Sequence, residues 1–223
     1  SEKIGLDFNS TTYYFLDLLR KQKINPKNLV NPCILLKSIK NKIEQNGAKK
    51  ANIRDGLSVT KYIYWLKNKM DIKNNNEISV AKYLENLREK NKLFHSLSFD
   101  TISAIGKNAA LPHYRVTEES NTNFSNNKIY LVDSGAQYYD GTTDITRTII
   151  IGEASLEQKD MFTRVLKGHI ALSNHIFKKG TKGSEIDYLA RESLNEIGCD
   201  YDHGTGHGIG SFLSVHEAPQ RIA

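Results

Sequence analysis

The chain has 223 residues and a formal net charge of +6, and 39% of its residues are hydrophobic and 25% charged. This length suffices for one large domain with its own core. No apolar run approaches the ~18 residues that would span a membrane, and the first ten residues lack the basic and apolar regions of a secretory signal. The lysines are spread along the chain instead of clustering with aromatic residues, which argues against a nucleic-acid partner.

The first half of the chain predicts helices. Residues 13–19 form an apolar and aromatic run that contains no recognisable catalytic or binding motif. Asn31 and Pro32 predict the start of a helix, because Asn caps helices and Pro is tolerated in the first turn. Asn46 and Gly47 predict the end of that helix. Two further helices are expected over about residues 50–70 and 77–94, with an asparagine-rich loop between them. The inward face of the 50–70 helix is expected to carry Ile53, Val59, Tyr62, Ile63, Leu66 and Met70.

The second half of the chain predicts strands and then helices. Two β-rich runs, 129–133 and 142–151, flank a turn at Asp140 and Gly141 and predict an antiparallel hairpin. Ser155 and Gln158 have the spacing of a capping box and predict a helix that runs to about residue 179. A last helix is expected over 184–197, with Ser184 as its N-cap and Gly198 as its stop. The order of elements predicts a mixed α+β fold with antiparallel pairing.

The predicted hairpin carries two aspartates among residues that favour burial. Asp133 ends the run KIYLVD, and Asp144 lies in TTDITRT. Each has an ordinary explanation, since Asp133 could accept bonds from nearby backbone donors and Asp144 could pair with Arg147 at the surface. The alternative is a divalent cation between them, because a buried carboxylate needs a partner. Oxygen ligands joined by a single imidazole suit Mn, Co, Fe or Zn.

The segment HGTGHGIGSF, residues 203–212, offers such an imidazole. Its glycines do not match G-x-G-x-x-G or a phosphate-binding G-K-[ST] loop. Four alternate glycines make a helix improbable. We therefore expect a glycine-rich strand or loop whose backbone passes close to a ligand, with His207 as a candidate metal ligand.

The two cysteines, Cys33 and Cys199, are far apart in the sequence. Disulfides persist mainly in oxidising compartments. We expect two free thiols and a cytoplasmic location.

Two long motifs, DSGAQYYDGTTDITRT and HGTGHGIGSFLSVHEAP, resemble the catalytic domain of aminopeptidase P, the cytosolic type of Xaa-Pro aminopeptidase in the creatinase and methionine-aminopeptidase superfamily. The resemblance runs from about residue 31 to the end of the chain. It implies a pita-bread fold, an α+β domain with a curved antiparallel sheet backed by helices, incomplete at the C-terminus. Residues 31–223 would then be the N-terminal and central part of this domain, and residues 1–30 the tail of a preceding, non-catalytic domain.

The resemblance also implies roles for particular residues. Asp133 and Asp144 match the family's metal-binding aspartates, Asp144 bridging both metals, and His207 matches its histidine ligand, which also lies against the substrate. His113 matches a histidine beside the substrate. His216 matches one that bonds the substrate and stabilises the tetrahedral intermediate. The implied cofactors are two divalent ions, Mn²⁺ first and Zn²⁺ or Co²⁺ as alternatives, and the implied partners are peptides with Xaa-Pro N-termini and a second copy of the chain.

Other residues near these motifs are expected to have different roles. His203 is expected to lie outside the ligand set. The remaining histidines, His95, His169 and His175, are expected to be structural. For Arg147 the sequence leaves two roles open: anchoring Asp144 or packing at the surface.

The sequence departs from the family pattern in one respect. The family completes its site with two glutamates beyond the HGTGH segment, which do not occur before Ala223, and Glu217 matches neither of their motifs. We therefore expect residues 1–223 alone to be inactive in the two-metal hydrolysis that the family performs. Two alternatives stay open: a prolidase that cleaves Xaa-Pro dipeptides, and a non-catalytic pita-bread binding module.

Overall fold

The computed structural model describes residues 4–223. These residues form two compact units, one ending at Ile39 and the other beginning at Lys40. Across the described residues, no helix has both the length and the apolar character needed to cross a membrane. The domain boundary expected at residue 30 stays a prediction.

The first unit contains two short strands and two helices. Strand β1 pairs in parallel with strand β2, and Asn31 caps the second helix by accepting a 3.0 Å hydrogen bond from the Cys33 N–H. The predicted helix start at Asn31 and Pro32 is thus confirmed. The elements are β1 (Gly5–Leu6), α1 (Tyr13–Lys21), β2 (Lys27–Asn28) and α2 (Pro32–Ser38).

The predicted end of this helix at Asn46 and Gly47 is wrong. Helix α2 ends at Ser38, and a new helix, α3 (Lys42–Asn68), begins behind a capping box in which Asn41 and Glu44 bond each other's backbone N–H groups. Gly47 lies inside α3 on its buried face. A Cβ there would overlap the carbonyl oxygen of Asp140, so the glycine permits a close contact instead of ending a helix.

Helices α3 and α4 (Glu77–Glu89) pack on a three-stranded sheet and enclose the main core. The predicted inward face of α3 is confirmed except at Ile53, which is 77% exposed. Helix α4 is shorter than predicted, because Phe94 belongs to strand β3 (Phe94–Leu97) and packs edge-on against Tyr138. The buried members of the core are Val59, Tyr62, Leu66, Val80, Leu84, Ile105, Phe124, Tyr130, Val132, Ile149 and Ile151.

The strands of the second unit form three antiparallel sheets. The predicted hairpin is confirmed: β5 pairs with β8 in full register, and β4 adds to the other edge of β5. A second three-stranded sheet has the strand order β3-β6-β7, and its strands β6 and β7 lie between β5 and β8 in the chain. Strand β9 pairs with β10. The strands are β4 (Ile102–Ile105), β5 (Lys128–Ser134), β6 (Ala136–Tyr138), β7 (Gly141–Thr142), β8 (Ile145–Ile151), β9 (Gly206–Gly208) and β10 (Glu217–Ile222).

Two helices, α5 (Leu156–Asn174) and α6 (Tyr188–Asn195), connect the hairpin to β9. The predicted capping box of Ser155 and Gln158 is confirmed. Helix α5 ends five residues before its predicted end at 179, and Ile176 and Phe177 beyond it are exposed, so no burial favours a longer helix.

Helix α6 is shorter than predicted, and it ends at Asn195, two residues before its predicted end. It begins at Tyr188, and the predicted cap Ser184 lies instead in a 3₁₀ turn, Gly183–Glu185. Gly198 ends the helical segment with a φ of +72°, as predicted. Both cysteines are free thiols, also as predicted.

Candidate metal centre

The central hairpin places Asp133 on the open face of its sheet. Successive residues of β5 point to opposite faces; Tyr130, Val132 and Ser134 are buried, while Leu131 and Asp133 are only partly so. Asp133 lies opposite Thr146 of β8. Asp144 immediately precedes β8, so the hairpin brings the two predicted aspartates to the same end of the sheet.

One oxygen of Asp133 is buried without a partner. Its Oδ1 is inaccessible to solvent and accepts no hydrogen bond from any described residue. The alternative in which nearby backbone donors satisfy this carboxylate therefore does not hold for Oδ1. An unsatisfied buried acceptor costs about 1–3 kcal/mol, and more when charged. A cation at this oxygen would remove that cost.

Asp144 lies between the negative charge of Asp133 and two histidines. Burial raises the pKa of the Asp144 carboxyl above its ordinary value, the charge of Asp133 raises it further, and His207 and His216 oppose both effects. Arg147 does not pair with it in the way the surface alternative requires, because its Nη1 donates to the carbonyl of Thr146 at 2.7 Å.

His207 reaches Asp144 from the glycine-rich strand β9. Its Nε2 lies 3.3 Å from Asp144 Oδ2, and its Nδ1 lies 2.8 Å from the carbonyl oxygen of Gly208. A carbonyl can only accept, so Nδ1 carries the proton of a neutral ring and Nε2 keeps its lone pair. Nε2 faces a carboxylate oxygen, an arrangement in which both groups could bind one metal ion.

The glycines of this segment allow β9 to approach β10. Gly208 lies opposite Glu217, and a Cβ at Gly208 would overlap the Glu217 carbonyl oxygen. The predicted glycine-rich strand is thus confirmed. His216 directly precedes β10, and its ring packs edge-on against that of His207 with 4.1 Å between the centroids.

His113 lies on the wall of the same large open groove that Asp133, Asp144, His207 and His216 line. It belongs to the loop that follows β4 and the 3₁₀ turn Gly106–Ala110. The next residue, Tyr114, is buried, and its hydroxyl donates to Glu77 Oε2 at 2.9 Å. Burial raises the pKa of the Tyr114 hydroxyl, so it stays a donor at neutral pH.

Glu77 anchors this loop, a role that its sequence context does not predict. Its side chain is fully buried and also accepts bonds from the backbone N–H groups of Ile105 (2.7 Å) and Thr122 (3.0 Å). The amide of Asn108 lies 3.0 Å from the same carboxylate. The one available signal was its position directly after Asn76, the N-cap of α4.

The other histidines lie outside this group of contacts. His203 stacks on Tyr201 with 4.6 Å between ring centroids, and His95 packs edge-on against Tyr139 and Phe212. His169 lines the groove from α5, and His175 is the C-cap of that helix.

The predicted ligands interact in pairs, and the three side chains do not form one cluster. Asp144 contacts His207 and lies in the field of Asp133. Within residues 4–223, no three or more His, Cys, Asp or Glu side chains are close enough to hold a metal ion together. The kinds of donor nevertheless suit a divalent cation, because two carboxylates and one imidazole line the same groove and one oxygen of Asp133 is buried without a partner.

Comparison with known proteins identifies the family of the chain. A model of metallopeptidase family M24 matches residues 46–223, and the chain belongs to that family. Its architecture is the pita-bread fold of these enzymes.

Within the family, the chain is similar to aminopeptidase P. It is 44% identical to Aminopeptidase P1 of Arabidopsis thaliana, with 100% of this chain and 37% of that protein covered, and 44% identical to Xaa-Pro aminopeptidase 2 of Mus musculus, with 97% and 32% covered. The chain thus spans about a third of the length of these relatives.

Two solved structures extend the comparison. An X-prolyl aminopeptidase from Caenorhabditis elegans, described as a cytosolic enzyme with a di-nuclear active site, superposes with a TM-score of 0.83 at 35% identity, with 94% of this chain and 38% of that one covered. A prolidase from Pyrococcus furiosus superposes with a TM-score of 0.82 at 29% identity, with 100% and 63% covered.

Proposed function

We propose that the full-length protein is a metal-dependent Xaa-Pro aminopeptidase, which releases the first residue of peptides that have proline second. The observation that carries the proposal is the unpartnered Oδ1 of Asp133 beside the contact of Asp144 with His207. Burying an unpaired carboxylate oxygen costs free energy, and a non-catalytic binding module would have no need to bury one. The similarity to Xaa-Pro aminopeptidases supports the substrate class.

The residues that would hold divalent ions are Asp133, Asp144 and His207. Such ions, when bound, activate water and polarise a carbonyl group. The oxygen-rich donor set suits Mn²⁺, with Zn²⁺ and Co²⁺ as alternatives. The di-nuclear active site of the Caenorhabditis elegans relative supports two ions. Asp144 would contribute to holding both.

His216 and His113 would act on the peptide. His216 lies against His207 in the groove, where a protonated or donor nitrogen can stabilise the negative charge that develops on the scissile carbonyl oxygen. His113 would orient the substrate from the loop that Glu77 holds. The amide nitrogen of proline carries no hydrogen. A site that cleaves the bond before proline therefore needs no acceptor for an N–H group at that nitrogen.

A prolidase activity is the second candidate, because the prolidase of Pyrococcus furiosus superposes nearly as well as the aminopeptidase. The two differ in the length of the peptide that they cleave. We further propose that the protein acts in the cytoplasm as a homodimer, without a nucleic-acid or membrane partner. The cytosolic relative and the free thiols support the location.

The test compares three peptides on the full-length protein with added Mn²⁺: an Xaa-Pro-Yaa tripeptide, the matching Xaa-Pro dipeptide and an Xaa-Ala-Yaa control. We expect the tripeptide to be cleaved fastest, the alanine control to resist, and a chelator to abolish turnover. Preference for the dipeptide would favour the prolidase. Folded protein that cleaves none of the three would refute catalysis and favour a binding module.

A further inference from the structure

Thr143, the residue directly before Asp144, is fully buried and makes two side-chain hydrogen bonds. Its hydroxyl donates to Asp55 Oδ2 at 2.8 Å and accepts from the Ala136 N–H at 3.0 Å. No local sequence pattern predicts these bonds of Thr143 and Asp55.

The backbone of Thr143 binds the two arms of the hairpin together. Its N–H donates to the Ala136 carbonyl at 2.9 Å, and its own carbonyl accepts from Ser98 Oγ at 2.9 Å. A Cβ at Gly135 would overlap this carbonyl, so the arms are in contact here. The contact lies between the two aspartates along the chain, close to both.

Asp55 is itself held by a buried ion pair. Arg88 donates to it from Nε at 2.7 Å and from Nη2 at 2.9 Å, and both side chains are fully buried. The hydroxyl of Tyr138 donates to Asp55 Oδ1 at 2.9 Å. A buried ion pair is often no more stabilising than an apolar pair of the same size, so its presence calls for a role in specificity.

The geometry points to such a role, and we infer that Thr143 is a positioning residue for the metal centre. Helices α3 and α4 fix Asp55 through Arg88, Asp55 fixes the Thr143 hydroxyl, and Thr143 sets the separation of Asp133 and Asp144. This inference rests on the proposed function, because it requires that these aspartates bind metal.

Tyr138 offers a matched control. Its hydroxyl donates to the same carboxylate as Thr143 and is equally buried, but it makes no bond across the contact of the two hairpin arms. Removing either hydroxyl takes one buried hydrogen bond from Asp55. Only the loss of the Thr143 hydroxyl also releases the Ala136 N–H beside the aspartates.

The experiment is a calorimetric titration of Mn²⁺ into metal-free full-length protein, with thermal unfolding measured on each variant. Thr143→Val should weaken Mn²⁺ binding about tenfold, the lower end of the effect of losing a group that orients a metal ligand, because Thr143 acts through the backbone next to Asp144. Thr143→Ser keeps the hydroxyl and should stay within about threefold of wild type. Tyr138→Phe should lower the melting temperature as much as Thr143→Val does and yet bind Mn²⁺ like wild type.

Each outcome is decisive. If wild type binds Mn²⁺ and Thr143→Val binds it equally well, or if Tyr138→Phe loses as much affinity, the positioning role is wrong while the metal centre stands. If wild type binds no Mn²⁺, the proposed function fails first. Should Thr143→Val not fold, Ser98→Ala removes the donor to the Thr143 carbonyl and should weaken binding about tenfold; unchanged affinity would refute the role.

Discussion

Asp144 and His207 face each other across the groove, with 3.3 Å between the carboxylate Oδ2 and the imidazole Nε2. They come from separate motifs: Asp144 from the hairpin and His207 from the glycine-rich strand. The protein brings these motifs together by packing, and the orientation of His207 follows from its Nδ1 bond to the Gly208 carbonyl. The contact therefore joins the two parts of the sequence that carry the proposed chemistry.

The first prediction concerns Asp144. Asp144→Asn in the full-length protein should abolish most metal binding and nearly all peptidase activity, because an amide cannot bridge two cations as a carboxylate does. Elemental analysis of the purified protein measures the bound metal. Asp140→Asn is the matched control, since Asp140 lies on the same hairpin but pairs with Arg54, and it should keep its metal. An Asp144→Asn protein with wild-type metal content would refute the ligand role.

The second prediction concerns His216. His216→Ala should lower kcat by ~10²–10³, the effect of losing one donor to a developing oxyanion, and should leave the metal content unchanged. Steady-state kinetics on an Xaa-Pro-Yaa peptide, together with metal analysis, give both values. Loss of metal along with activity would instead make His216 a ligand.

The third prediction concerns the loop that carries His113. Glu77→Gln places an amide donor opposite the donors of Ile105, Tyr114 and Thr122. It should destabilise the protein by about 2–3 kcal/mol and raise KM more than it lowers kcat. Urea unfolding and kinetics measure the two effects.

Glu85→Gln is the control for this variant. Glu85 lies on the same helix and pairs at the surface with Lys82, so its loss should cost less than about 1 kcal/mol. Equal destabilisation by the two variants would show that Glu77 has no special anchoring role.

The fourth prediction concerns the dependence of stability on pH. The hydrogen bonds from Arg54 lower the pKa of the Asp140 carboxyl below its ordinary value of 3.8. A lowered pKa stabilises the folded state fully above the unfolded value, and the effect is lost as pH falls through the folded pKa. Asp140→Asn should therefore cost about 1 kcal/mol at neutral pH, a difference that shrinks below about pH 4. A difference that stays constant with pH would contradict this assignment.

The hairpin and its aspartates could be predicted from sequence because the signals are local. Alternating β-rich runs around Asp140 and Gly141 predict the strands, and the spacing of Ser155 and Gln158 predicts the helix start. The spacing of Asn41 and Glu44 is also a local signal, yet Asn46 and Gly47 predict a helix end close to it, and that prediction is wrong. Gly47 serves a packing contact with Asp140, a residue far away in the chain, and local patterns do not contain that contact.

The buried anchors could not be predicted for the same reason. Asp55 and Glu77 read as ordinary polar residues of helices, which usually face solvent. Their partners, Arg88, Thr143 and Tyr114, lie on other elements, and only the packing of α3 and α4 on the sheets brings them together. Pairing between distant residues decides which helical carboxylates are buried.

We propose above that Asp133, Asp144 and His207 hold the catalytic metal. The most direct measurement is anomalous diffraction at the manganese edge from crystals of the full-length protein grown with Mn²⁺. We expect anomalous peaks within bonding distance of Asp133 Oδ1, an Asp144 oxygen and His207 Nε2. Crystals that contain manganese at other residues, with Asp133 Oδ1 still without a partner, would contradict it.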